Sequence, residues 1–226
     1  MERNKPALYA AILFCLALLF NHQAVGQQEA DSLATLMKKN TTSDSVRANL
    51  LVSLAENIRL SDPLQSIAYA AELERMILSK PAGNYKANAN RYLSAAQLIK
   101  GKGYLAMGQQ KKADSVFALA IKIWQKANDL NGEAKLLFKI GRTWDLSGKS
   151  EKAIASFQEA LKIEENLGNK KDIGTNLYHI GSSYDDLSNY RAAEDFTQQA
   201  YEQFKQIGDD YRAGICLNNL GNIQNS

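Results

Sequence analysis

Cysteine, histidine and proline are scarce in this chain of 226 residues, which has two, two and three of them. Cys15 lies in an apolar run near the amino terminus, and Cys216, the other cysteine, has apolar neighbours that predict a buried small side chain without a disulfide. His179 is the one histidine beyond residue 26. Without a second histidine or a cysteine pair, no spacing typical of a metal site is present. The favoured interpretation of His179 is a residue on a helix face.

Charge of either sign is also in little excess, with 27 Lys and Arg against 24 Asp and Glu. This balance gives no electrostatic reason to expect nucleic acid or an anionic membrane as the partner. Adjacent carboxylates such as Asp185 and Asp186 point about 100° apart on a helix and do not form an acid and base couple. The segment Gly148-Lys149-Ser150 lacks the strand and the earlier glycine of a phosphate-binding loop. The sequence therefore predicts no catalytic site, cofactor or metal.

The apolar run Ala7–Phe20 is shorter than the ~20 residues that cross a bilayer. Arg3 and Lys5 precede it, and the small residues Ala24 and Gly26 follow it at the spacing of a cleavage site. These features predict a secretory signal peptide over residues 1–26 and an exported protein, periplasmic or otherwise extracytoplasmic. An uncleaved membrane anchor is the alternative.

What the chain has instead is a repeat with a period of 40 residues. The glycine series that defines it is Gly101, Gly141, Gly181 and Gly221. Alanines follow the first three glycines at offsets of twelve and nineteen residues, as Ala113, Ala153, Ala193, Ala120, Ala160 and Ala200. A fixed period of roughly 20 to 50 residues is typical of a solenoid, in which each repeat buries its apolar face against a neighbour. We expect these small residues where two helices cross closely.

With an aromatic ring three residues after each of the first three glycines, this pattern resembles the tetratricopeptide repeat, or TPR. The resemblance implies an all-α fold, a right-handed TPR-type helical solenoid of antiparallel helix pairs. The common repeat has about 34 residues and a proline at the end of its second helix. Here the second helices are expected to run longer and to end at residues that tolerate a left-handed backbone, namely Asn128, Gly168 and Gly208.

The repeat also divides the chain into segments. After the signal peptide we predict a partly helical N-terminal segment at 27–44, a divergent TPR-like helix pair at 45–80, a linker at 81–90 and a TPR array at 91–226. The repeats of the array lie at about 94–130, 134–170 and 174–210, with an incomplete one at 214–226. Because this last repeat stops before its second helix, we expect the chain to be the N-terminal part of a longer protein, with a membrane tether in the downstream segment.

In TPR proteins the first helix of each repeat lines a concave groove that commonly holds a peptide or a partner helix. Positions next to the glycine series predict the groove residues Leu98, Lys102, Phe138, Arg142, Asp145, Tyr178, Ser182, Asp185, Asn218 and Asn222. Aromatic anchors beside polar groups suit the capture of a protein or peptide. Burial of Phe138 and Tyr178 between helices is the alternative. Lys135 and Lys139 match only part of the carboxylate clamp of chaperone-binding TPR domains, so no such clamp is predicted.

A signal peptide followed by extended TPR repeats resembles the exported N-terminal region of bacterial TPR signalling proteins. In these proteins the array precedes a transmembrane helix and an output domain such as a histidine kinase. The resemblance implies a non-catalytic protein-protein interaction module with a sensory or scaffold role in signal transduction. A stand-alone envelope scaffold or assembly protein is the second hypothesis, and an enzyme is a distant third.

Overall fold

The computed structural model describes residues 43–79 and 88–225, and within these ranges it contains nine α-helices and no strand. The helices are α1 (Asp44–Ile58), α2 (Pro63–Ser79), α3 (Ala89–Ala106), α4 (Gln110–Ala127), α5 (Leu130–Asp145), α6 (Ser150–Leu167), α7 (Lys170–Asp186), α8 (Tyr190–Gln206) and α9 (Asp210–Gln224). The predicted signal peptide, most of the segment 27–44 and most of the linker 81–90 lie outside the described residues.

The chain forms two compact units, Met1–Val116 and Phe117–Ser226, and the division falls within α4. In the first unit α1, α2 and α3 pack on one another around an apolar core that includes Leu51, Leu73 and Tyr92. Helix α2 begins at Pro63, a favourable first residue because proline lacks the N–H that the first turn of a helix leaves unpaired. Asp62 caps the same helix by accepting a hydrogen bond from the Gln65 amide at 2.9 Å.

In the second unit each helix from α5 to α9 packs against the next one along the chain. Turns of two to four residues separate these helices, so packed neighbours run antiparallel. The fold class is confirmed: the described chain is an all-α repeat of TPR-type helix pairs. Cys216 is fully buried in α9, as predicted, and burial raises the pKa of its thiol to about 11.

The helices end at residues with a left-handed backbone. Asn128, Gly168 and Gly208 have φ values of 52°, 72° and 72°, which confirms the predicted ends of the second helices. The first helices end in the same way, at a second series with the same 40-residue period: Gly108, Gly148 and Ser188. Both turns of a repeat therefore depend on a residue at positive φ.

The small residues of the repeat lie in close packing. A Cβ atom placed on Gly141 would be 2.6 Å from Phe157 Cδ1, and one on Gly181 would be 2.5 Å from Thr197 Oγ1. Gly221 differs, since a Cβ there would meet no atom within 4 Å. The six alanines of the repeat are all 0% exposed, and Gly101 is buried. The expected packing reason therefore holds at Gly141 and Gly181 but not at Gly221.

Candidate interaction surface of the second unit

Eight of the ten predicted groove residues belong to the first helices of the second unit, α5, α7 and α9. Leu98 and Lys102 belong instead to α3 of the first unit. Leu98 is only 6% exposed, so it offers no surface to a partner. Lys102 Nζ lies 2.7 Å from Glu56 Oε1 and pairs with that carboxylate within its own unit. The candidate surface is therefore described on the second unit alone.

Aromatic side chains form a cluster between the helices of this unit. Phe138 on α5 has its ring centroid 5.6 Å from that of Phe157 on α6 and 5.3 Å from that of His179 on α7. Tyr178 contacts the His179 ring edge-on, and its hydroxyl accepts a hydrogen bond from Asn219 Nδ2 at 3.2 Å. Phe138 and Tyr178 thus pack between successive helices, the alternative considered above, and each remains only half-buried.

His179 is at the centre of this cluster and is more than an ordinary residue on a helix face. Its ring stacks on Phe157 at 5.3 Å between centroids, and Arg142 Nη1 lies 3.2 Å from its Nε2. Burial, followed by the charge of Arg142, lowers the pKa of His179 from 6.5 to about 4. The imidazole is therefore neutral at pH 7. Because a guanidinium can only donate, Nε2 is the acceptor of this hydrogen bond.

Arg142 is the cationic group of the candidate surface. Within the described residues no carboxylate lies within ion-pairing distance of it, and its Nε is buried without a hydrogen-bond partner. Arg212 in the same unit differs, since its guanidinium pairs with Asp209 at 2.5 Å. A guanidinium that has only a neutral imidazole beside it can still bind a carboxylate from outside.

Carboxylates gather at the carboxyl-terminal ends of α5 and α7. Asp145 Oδ1 accepts a hydrogen bond of 3.4 Å from Ser183 Oγ, which brings the two helix ends together. Loss of hydration, and then the charges of Asp145 and Asp185, raise the pKa of Asp186 above its ordinary value. Ser182 is half-buried nearby in sequence, and Asn218 and Asn222 are exposed on α9. The surface thus combines rings, a guanidinium and carboxylates, which are groups suited to recognition.

Metal-binding clusters and membrane-spanning helices are both absent from the described part of the chain. Residues 43–79 and 88–225 contain no group of three or more histidine, cysteine or carboxylate side chains placed to hold a metal ion. Over the same residues, none of the helices combines the length and the apolar character that a membrane span requires.

One helix pair of the second unit matches a known repeat family. Residues 134–167, which cover most of α5 and all of α6, match the family model of the tetratricopeptide repeat. The helix pair α5–α6 is thus a tetratricopeptide repeat. The matched TPR is the helix pair that carries Phe138, Arg142, Asp145 and Phe157, so these side chains occupy a recognised repeat.

Known proteins are similar to parts of this chain. Protein O-mannosyl-transferase Tmtc3 of Drosophila melanogaster is 34% identical over 89 residues, which are 38% of this chain and 9% of that protein. A signal transduction ATPase with a tetratricopeptide repeat sensor from Pyrococcus horikoshii matches with a TM-score of 0.61 and 19% identity, over 87% of this chain and 30% of the other. A Rap protein complexed with competence and sporulation factor matches with a TM-score of 0.52 and 16% identity, over 100% and 66%. The two solved structures share the fold of this chain. The chain spans less than a third of the length of Tmtc3 and of the signal transduction ATPase.

Sequence reasoning missed the contacts of His179 and the proximity of Asp145 to Asp186. Both depend on contacts between successive repeats, at offsets near the 40-residue period, as in the pairs Phe138 with His179 and Tyr178 with Asn219. These two pairs have the same offset of 41 residues, so the repeat itself contained the signal. Reading each first helix against the next one would have placed His179 beside Phe138.

Proposed function

We propose that this chain is a non-catalytic interaction module. It binds a protein or peptide on the surface that the first helices α5, α7 and α9 form in its second unit. The observation that carries the proposal is Arg142, a half-buried guanidinium without a carboxylate partner among the described residues. The partly exposed ring of Phe138 lies one helical turn before it on α5, and that of Tyr178 lies on the next first helix, α7. An arginine flanked by aromatic anchors is the composition typical of a binding hot spot.

The chemistry of the surface indicates what a partner segment carries. A carboxylate side chain suits Arg142, because His179 beside it stays neutral and leaves the guanidinium charge uncompensated. A basic side chain suits the carboxylates of Asp145, Asp185 and Asp186. An apolar side chain suits the rings. The preferred partner is therefore a segment of mixed charge with an apolar residue.

We also propose that the module is exported and serves as the sensory or scaffold part of a larger signal-transduction protein. The predicted signal peptide at 1–26 supports export. The sensor repeats of the signal transduction ATPase and the factor held by the Rap protein show two uses of the same fold, in those proteins. Amino-terminal sequencing of the protein recovered from its native cell tests export, and a free terminus at Met1 would contradict it.

The binding proposal is tested with the full chain and an array of immobilised peptides that vary in charge and in apolar content. We expect the bound peptides to share an acidic residue, and the variant Arg142→Glu to lose them. Tyr178→Ala is expected to weaken the same peptides. Arg191→Glu, at an exposed arginine on the second helix α8, is the matched control and should leave binding unchanged. Equal binding by Arg142→Glu and the unchanged chain would place recognition elsewhere.

A further inference from the structure

A pocket of about 170 Å³ lies in the second unit among α5, α6 and α7. Charged and amide side chains contribute to its lining. The lining residues that matter here are Lys135, Phe138, Lys139, Glu164, Asp172 and Asn176. Apart from Phe138, none of them belongs to the surface described above.

Two of these side chains break the repeat at buried positions. Glu164 is 2% exposed, yet the residues 40 before and 40 after it are Trp124 and Phe204. Asn176 is 2% exposed, yet the corresponding residues are Leu136 and Cys216. A polar residue at a core position costs stability unless it gains a partner. Both departures from the repeat fall on the same pocket.

In the next repeat the positions that correspond to the pocket are apolar. Phe204 and Cys216, the counterparts of Glu164 and Asn176, belong to one buried apolar cluster. Arg212, the counterpart of Asp172, lies over the Phe204 ring with its guanidinium carbon 5.9 Å from the ring centroid. A ring thus fills the space where the pocket lies in the preceding repeat.

The buried groups of the pocket have free hydrogen-bonding capacity. Asn176 Nδ2 donates to the Asp172 carbonyl oxygen at 2.9 Å, but its Oδ1 is buried without a partner. Glu164 Oε2 accepts from Asn169 Nδ2 at 2.5 Å, which fixes the carboxylate and leaves Oε1 available. A buried acceptor without a partner is costly, so it points to a donor supplied by a ligand.

The charged residues that line the pocket differ in sign between its helices, with cations on α5 and carboxylates on α6 and α7. Hydrogen-bond acceptors come from the carboxylates of Glu164 and Asp172 and from the side-chain oxygen Oδ1 of Asn176. Cations come from the exposed Lys135 and Lys139, which lie one helical turn apart on α5. We propose that this pocket binds a free α-amino acid, whose ammonium group faces the acceptors and whose carboxylate faces the two lysines. The volume suits so small a zwitterion, since pockets for drug-sized ligands start at about 300 Å³.

The test is calorimetric titration of the full chain with each of the twenty common free L-amino acids. At least one is expected to bind with a Kd of about 1 mM or tighter. Two derivatives of the best binder serve as controls: the N-acetyl amino acid, which lacks the ammonium charge, and the amino acid amide, which lacks the carboxylate. Each should bind at least about tenfold more weakly than the free amino acid. Absence of binding by all twenty, or equal binding of either derivative, would overturn the proposal.

Variants then locate the site. Glu164→Gln removes the charge and keeps the shape, and binding should fall at least about tenfold, whereas Glu165→Gln at the exposed neighbour should not change it. Asn176→Leu introduces the residue that the preceding repeat has at this position, so the variant is expected to fold and to lose binding. Circular dichroism verifies the fold. Undiminished binding by a folded Asn176→Leu variant would exclude this pocket.

Discussion

The two compact units use different contacts to fix their helices. In the first unit, charged side chains join the helices: Arg47 with Glu72 connects α1 to α2, and Lys102 with Glu56 connects α1 to α3. In the second unit, rings do so: Phe138 with Phe157 connects α5 to α6, Phe157 with His179 connects α6 to α7, and Tyr184 with Phe196 connects α7 to α8. Helix pairs are thus joined by ion pairs in one unit and by ring contacts in the other, and these two kinds of contact respond differently to salt.

This difference follows the sequence. The divergent pair has Ile58 where the later repeats have Tyr104, Trp144 and Tyr184, so it lacks an aromatic ring at this position. Salt screens pairs of charges at the surface, whereas it leaves ring packing largely unchanged. The contrast between the units can therefore be tested by substitutions and by solvent.

The largest expected effect is on close packing in the second unit. Gly141→Ala places a Cβ 2.6 Å from the Phe157 ring, so the ring must move, and we expect a loss of about 1–3 kcal/mol in the free energy of unfolding. Urea denaturation measures it. Gly221→Ala is the control, since its Cβ meets no atom within 4 Å and the change should stabilise α9 by up to about 1 kcal/mol. Losses of equal size at both glycines would show that the ring contact is irrelevant.

A smaller effect is expected from pH through His179. Its pKa is about 4 in the folded chain and near 6.5 when unfolded, so below pH 6.5 the unfolded state binds the extra proton. The free energy of unfolding should fall as the pH drops from 6.5 towards 4, by about 1.5 kcal/mol between pH 6.5 and pH 5. Asp186, whose pKa is raised, acts in the opposite direction.

Comparison with a variant isolates this histidine contribution. His179→Asn introduces the residue of the next repeat, Asn219, and removes the titrating group while Asp186 remains. Thermal unfolding of both proteins from pH 7 to pH 4.5 should show the smaller decrease in Tm for the variant. Parallel decreases would mean that His179 titrates normally in the folded chain.

The smallest effect is expected from the charge pairs of the first unit. Lys102→Met keeps the apolar stem and removes a pair whose side chains are 24% and 33% exposed, so the loss should not exceed about 1 kcal/mol. The difference from the unchanged chain should vanish at 1 M NaCl. Lys205→Met removes an exposed pair of the second unit and should cause no measurable change. A deficit at Lys102→Met that persists in high salt would attribute it to packing.

Much of the fold was predictable because the repeat encodes it. The period located the helix pairs, the buried alanines and the left-handed ends at Asn128, Gly168 and Gly208. The charge pairs of the first unit were not predictable, because Glu56 and Lys102 are 46 residues apart and no pattern links them. Gly221 shows the other limit, since a position in phase with the repeat need not have the same neighbours.

The candidate site was predictable only in part. Positions counted from the glycine series found Phe138, Arg142 and Tyr178 on neighbouring first helices. They also included Leu98, which is buried. The pKa of His179 and the unpaired Oδ1 of Asn176 depend on burial by residues of the adjacent helices, and a single-sequence pattern does not contain that information. Comparing each position with its counterparts 40 residues away does reveal Glu164 and Asn176 as exceptions.

The left-handed residues at both turns of each regular repeat also bear on how such a chain changes in length. Gly148 and Gly168 end the two helices of one repeat, and Ser188 and Gly208 end those of the next. A duplication or deletion of 40 residues would bring every one of these turns back into register. A single residue inserted within a helix would instead rotate its buried face by about 100°. Whole repeats are therefore the steps in which this chain can lengthen or shorten while each helix keeps its core.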